Sequence, residues 1–92
     1  MAVTVKIPTQ LRDAAGGEAE VNVDLDGATV GEVLDALFSR FGELRDRITQ
    51  DGKLRRFVNV YVAGEDIRFA KELDTPVPDG GEVTILPAVA GG

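Results

Sequence analysis

The last five residues, Ala88-Val89-Ala90-Gly91-Gly92, hold the group best placed for chemistry with another molecule, the carboxylate of Gly92. Side chains this small have little to pack with, and glycine loses the most backbone freedom on ordering. The segment therefore reads as a bare, narrow peptide projecting from a domain. Five extended residues reach at most about 17 Å. Missing Cβ atoms at Gly91 and Gly92 let the carboxylate approach a reactive centre inside another protein's channel, with Val89, Ala90 and Gly91 inserted behind it. Frayed chain ends are often small too, so the ending alone does not decide.

Few other groups compete. The sequence has no cysteine and no histidine. That excludes disulfides, thiolate metal sites and Ser-His or Cys-His catalysis. An enzyme would have to run on carboxylates, lysine or tyrosine, and no cofactor motif is present; the chain is expected to be no enzyme. Asp13, Glu18, Glu20, Asp24 and Asp26 are near in sequence, but Glu20, Asp24 and Asp26 alternate outward as a solvated strand face, so no metal site is expected. Gly16-Gly17 lacks the phosphate-loop lysine and a following helical period, and reads as a turn. Arg45, Arg47, Lys53, Arg55 and Arg56 collect half of the ten basic residues. They form either an ordinary solvated loop or a positive edge for an acidic partner or the tail carboxylate.

The elements that must position the tail follow from periodicity. Val3, Val5 and Ile7 alternate with Thr4 and Lys6 as a half-buried strand, ended by Pro8. Val21, Val23 and Leu25 alternate in a second strand, closed by Asp26-Gly27. Thr29-Val30-Gly31-Glu32 fits a capping box. Val30, Val33, Leu34, Leu37, Phe38 and Phe41 then form one apolar helical stripe, with Gly42 placed as a helix-stopping C′ glycine. Leu44 and Ile48 suggest another short helical turn. Phe57 to Val62 is a third strand, Ile67 to Phe69 a short fourth, and Glu82 to Leu86 the last, ended by Pro87. One helix covers one face of a small mixed sheet, an α+β arrangement. The Val- and Ile-rich first and last strands are expected to be central parallel neighbours.

Residues 1–87 are expected to form one domain and 88–92 its tail. Hydrophobic content of 43% with 28% charged residues suits a soluble globular chain. A net charge of -6 disfavours nucleic acid and favours a partner with a positive surface. No apolar run approaches a membrane span of about 20 residues. Met1 to Lys6 lacks signal-peptide character, so the cytoplasm is the expected location.

Alternation that buries Val83 and Ile85 turns Leu86 outward, a docking candidate beside the tail. Phe57 and Tyr61 lie opposite Val58, Val60 and Val62, and periodicity alone does not say which face is core.

The ending Val83-Thr84-Ile85-Leu86-Pro87-Ala88-Val89-Ala90-Gly91-Gly92 resembles that of the ubiquitin-like sulfur carriers, the family of the molybdopterin synthase small subunit and the thiamine-pathway carrier (MoaD/ThiS). Asp51-Gly52-Lys53-Leu54 with Val58-Asn59, and Asp79-Gly80-Gly81-Glu82-Val83, resemble the molybdopterin-type members. Phe57-Val58-Asn59-Val60-Tyr61-Val62 and the segment 85–92 are similar to the actinobacterial carriers of cysteine synthesis. The resemblance spans essentially the whole chain.

It implies a ubiquitin-like β-grasp: a mixed sheet of four to five strands, one main helix on one face, and a C-terminal Gly-Gly tail. It implies that Gly92 is adenylated by an E1-like adenylating and sulfurtransferase enzyme using ATP and Mg, then converted to a thiocarboxylate. An exposed apolar patch beside the tail is the docking surface expected for the partner enzymes, with Leu86, Phe57 and Tyr61 as candidates and core or sheet edge as the alternative for Phe57 and Tyr61; Lys53 joins them through its match to the family's Asp-Gly-Lys-Leu segment. The acceptor would be a pyridoxal-phosphate (PLP) cysteine synthase, and a zinc-dependent peptidase would release the cysteine; the carrier itself binds no cofactor. Alternatives within the fold are a molybdopterin synthase subunit, a thiamine-type carrier, a ubiquitin-like protein modifier, and a plain interaction domain.

Overall fold

Alternating valines build the first hairpin. In the computed structural model, which describes residues 2–25 and 29–87, β1 (Ala2–Lys6) pairs antiparallel with β2 (Glu20–Asp24), Val3 opposite Val23 and Val5 opposite Val21. All four side chains are buried. The connection is more ordered than its polar composition predicts. Thr9–Ala15 is a 3₁₀ segment that buries Leu11, Ala14 and Ala15 and ends on Gly16 in the left-handed conformation.

Helix α1 (Val30–Arg40) begins as predicted. The Glu32 N–H donates to Thr29 Oγ1 at 3.3 Å, and the Thr29 N–H donates to Glu32 Oε1 at 2.9 Å. These bonds satisfy orphan backbone donors of the first turn. Val30, Val33, Leu34, Leu37 and Phe38 are buried against the sheet. Gly42 does not act as a left-handed stop: its φ is -58°, and it leads directly into α2 (Glu43–Ile48), which buries Leu44 and Ile48. The second apolar turn holds the chain near the core, so no reversal is needed at Gly42.

A small hairpin follows, β3 (Thr49–Gln50) and β4 (Lys53–Leu54), reversed at Asp51-Gly52 with both φ positive. Then come β5 (Val58–Val62), β6 (Glu65–Asp66) and β7 (Glu82–Pro87). The expected strand at Ile67 to Phe69 is instead a 3₁₀ turn, and pairing with β5 falls on Glu65 and Asp66. The Ala63-Gly64 turn returns the chain after two residues, so the ladder is complete before Ile67. Ile67 then buries itself, and Asp66 caps the turn by accepting from the Arg68 N–H.

The principal sheet has the order β2-β1-β7-β5-β6. β7 lies parallel to β1 and antiparallel to β5, which makes the first and last strands central neighbours. The approach to β7 is zipped onto β1: Gly80 N–H donates to Ala2 O, and Thr4 N–H to Gly81 O. With α1 on one face and the other face open, this is a ubiquitin-like β-grasp. Among the described residues no helix is long and apolar enough to cross a membrane.

Candidate functional site

Gly92, Gly91, Ala90 and Val89 lie outside the described residues, as does the 88–92 boundary of the tail. What the structure settles is how the chain leads to them. β7 is hydrogen-bonded on both sides, with Val83 and Ile85 buried in the core. Pro87 stands opposite Val58 at the end of the β5 ladder. The tail therefore follows a strand anchored in the middle of the sheet.

The question left open by periodicity on β5 is resolved. Val58, Val60 and Val62 face the core, which puts Tyr61 on the open face. Leu86, also on that face, stands opposite Asn59. Its diagonal neighbour on β5 is then Tyr61, within reach of side chains this long, and Phe57 lies in the turn just before β5. Phe57 is 63% exposed and Leu86 44%. Large apolar side chains this open are features of interaction surfaces. Of the three sequence-predicted apolar docking residues, Tyr61 and Leu86 share the open sheet face near the end of β7, and Phe57 is exposed in the turn that leads into β5.

Polar residues of the same face border this patch. Lys6 Nζ lies 3.6 Å from Glu82 and 4.0 Å from Glu20, and Thr4 Oγ1 donates to Asn22 Oδ1. The side chains of both ion pairs are about half exposed, so these two contribute about 0–1 kcal/mol each. They make the flank of the patch polar without adding much to the fold.

Lys53 is exposed on β4, where it lines a shallow cleft with Leu54, Arg68, Glu72 and Leu73. None of Leu86, Phe57 and Tyr61 lines that cleft, so the structure does not bring Lys53 together with the apolar patch. Three of the other basic residues are occupied within the fold. The Arg45 guanidinium sits 5.4 Å from the Phe38 ring centre. Arg47 donates to Gln10 O, and Arg55 donates to Asp46 O at 2.7 Å. They brace α2 and the small hairpin and form no free positive edge. Among the described residues, no group of three or more acidic side chains is arranged to hold a metal.

Two residues escaped the sequence reading. Phe69 is 86% exposed, which a strand assignment concealed. Arg68 donates to Asn59 Oδ1, to Val58 O at 2.7 Å and to Arg55 O at 3.1 Å. No local pattern marks it, because all three acceptors belong to a segment about ten residues earlier.

A protein-family model described as the ThiS family matches residues 5–92. The sulfur carrier protein CysO of Mycobacterium tuberculosis is 47% identical over 95 residues, covering 100% of both chains. Among solved structures, a chain of the Amycolatopsis orientalis BexX/CysO complex superposes with a TM-score of 0.86 at 51% identity, covering 98% of this chain and 99% of that one. The modifier protein SAMP1 of Haloferax volcanii superposes with a TM-score of 0.84 at 34% identity, covering 100% of each.

Proposed function

The chain belongs to the ThiS family, and we propose that it is a sulfur carrier working through the carboxylate of Gly92. The observation that supports this most is end-to-end relation to a protein named as a sulfur carrier, inside a family match that runs through Gly92. A carboxylate is a poor electrophile. An E1-like partner would let a Gly92 oxygen attack the α-phosphorus of ATP, with Mg assisting and pyrophosphate leaving. A sulfur donor then attacks the acyl carbon, AMP leaves, and Gly92 ends as a thiocarboxylate.

The acceptor we propose is a PLP-dependent cysteine synthase. PLP in that enzyme would activate the β-carbon of a serine-derived substrate for attack by the thiocarboxylate sulfur, giving an S-acyl cysteine with Gly92 as the acyl group. Once the product's α-amine is free of the cofactor, an acyl shift from sulfur to that amine would leave cysteine joined to Gly92 by an amide, which a zinc-dependent peptidase in the cytoplasm would hydrolyse. The carrier's share is placement. A centrally anchored β7 presents the tail, and Leu86, Phe57 and Tyr61 provide apolar surface on which those enzymes dock. Catalysis belongs to the partners.

The test is intact mass after incubation with cognate lysate, ATP and sulfide, beside a Gly92-deleted chain. A sulfur-for-oxygen increment on the full-length chain alone is expected. No increment, from an adenylating enzyme shown to act on another carrier, sinks the reading. The likeness to SAMP1 favours one rival, a protein modifier; a ladder of host proteins joined through Gly92 would support it.

A further inference from the structure

We propose that Arg68 is a positioning residue for docking: its guanidinium holds the 55–58 turn, and through it the exposed Phe57, at the end of β5 that pairs with Leu86 and Pro87. This rests on the carrier reading and adds to it a residue that lies off the sheet face itself. Phe57 is 63% exposed, so packing of its own does little to fix it. The turn that carries it is closed by one backbone bond, Val58 N–H to Arg55 O at 3.0 Å. Arg68 donates to the carbonyls at both ends of that turn, Arg55 O at 3.1 Å and Val58 O at 2.7 Å. Its other Nη donates to Asn59 Oδ1, and Asn59 stands opposite Leu86. One planar fork thus ties together the turn bearing Phe57 and the residue facing Leu86.

The fork is itself anchored. The Arg68 N–H donates to Asp66 Oδ1 at 2.9 Å, and the adjoining Ile67 is 1% exposed. A lysine has the charge but one nitrogen, and cannot span three acceptors in this geometry. Charge alone is therefore not the property required.

The experiment compares wild type, Arg68→Ala, Arg68→Lys, Phe57→Ala and the Arg68→Ala/Phe57→Ala double variant. Two readouts are taken: amide hydrogen exchange, and kcat and KM of the adenylating enzyme for each carrier. Loss of Val58 amide protection in Arg68→Ala, with Val60 unchanged, is expected. So is a rise in KM of about tenfold, the size of one hydrogen-bond-scale loss, at unchanged kcat and without restoration by lysine. The double variant should be no worse than Phe57→Ala, because both lesions act through one side chain. Unchanged Val58 protection, a wild-type KM in Arg68→Ala, or multiplying effects in the double variant would each overturn the inference. Failure of the carrier reading shows separately, as no turnover of the wild-type chain by an enzyme competent on another carrier.

Discussion

Replacing Leu86 by Ala separates docking from folding, because Leu86 and its neighbour Ile85 divide those roles along one strand. Fully burying a leucine side chain is worth about 1.5–3 kcal/mol. With 44% of Leu86 still open to solvent, a partner that covers it recovers up to about 0.7–1.3 kcal/mol by the same scale. Leu86→Ala should therefore weaken binding to the adenylating enzyme roughly three- to ninefold. Titration calorimetry with the purified pair reads that directly. The part of Leu86 already shielded costs about 0.8–1.7 kcal/mol on truncation by the same scale, a shift of roughly 3–14 °C in Tm for a domain of this size. Ile85→Ala is the opposite case. At 1% exposure it empties core volume and should cost about 2–5 kcal/mol of stability, while any folded fraction docks normally. An unchanged Kd for Leu86→Ala, with Phe57→Ala also unchanged, would refute the docking face. A larger loss of stability from Leu86→Ala than from Ile85→Ala would place Leu86 in the core and undo the assignment of faces.

Three further outcomes test the fold that presents the tail. Thr29→Ala removes the Oγ1 that accepts from Glu32 N–H and should lower stability by about 1 kcal/mol; a urea midpoint equal to wild type would contradict the capping role. Ala63 holds φ 52° beside Gly64 at φ 83° in the turn between β5 and β6, a pairing that suits Asn-Gly. Ala63→Asn should stabilise by about 0.5–1 kcal/mol, and a lower denaturation midpoint would count against it. At Gly81 an added Cβ would lie 2.7 Å from Pro78 O, so Gly81→Ala should cost about 1–3 kcal/mol through forced backbone movement. Near-wild-type thermal stability in that variant would show that the loop leading into β7 yields freely.

Local rules made much of this protein readable from its residues. Period-two β-branched residues specify β1, β2 and β7, and the 3.6-residue stripe with Thr29 and Glu32 specifies α1, because each signal depends on neighbours a few positions apart. The outward turn of Leu86 follows from the same short-range logic. Tertiary structure decided the rest. Val58, Val60 and Val62 could have faced either way until the core formed on one side of β5, and only that choice put Tyr61 and Leu86 on one open face. The strand expected at Ile67 to Phe69 became a 3₁₀ turn because the tight Ala63-Gly64 reversal used up the available ladder at Asp66. Arg45, Arg47 and Arg55 read as part of a solvated loop or a positive edge, yet each meets an aromatic ring or a carbonyl brought to it by the fold. Arg68 is the extreme case. Its partners are Arg55, Val58 and Asn59, and no pattern in the chain announces a bond that exists only once β6 has folded back along β5.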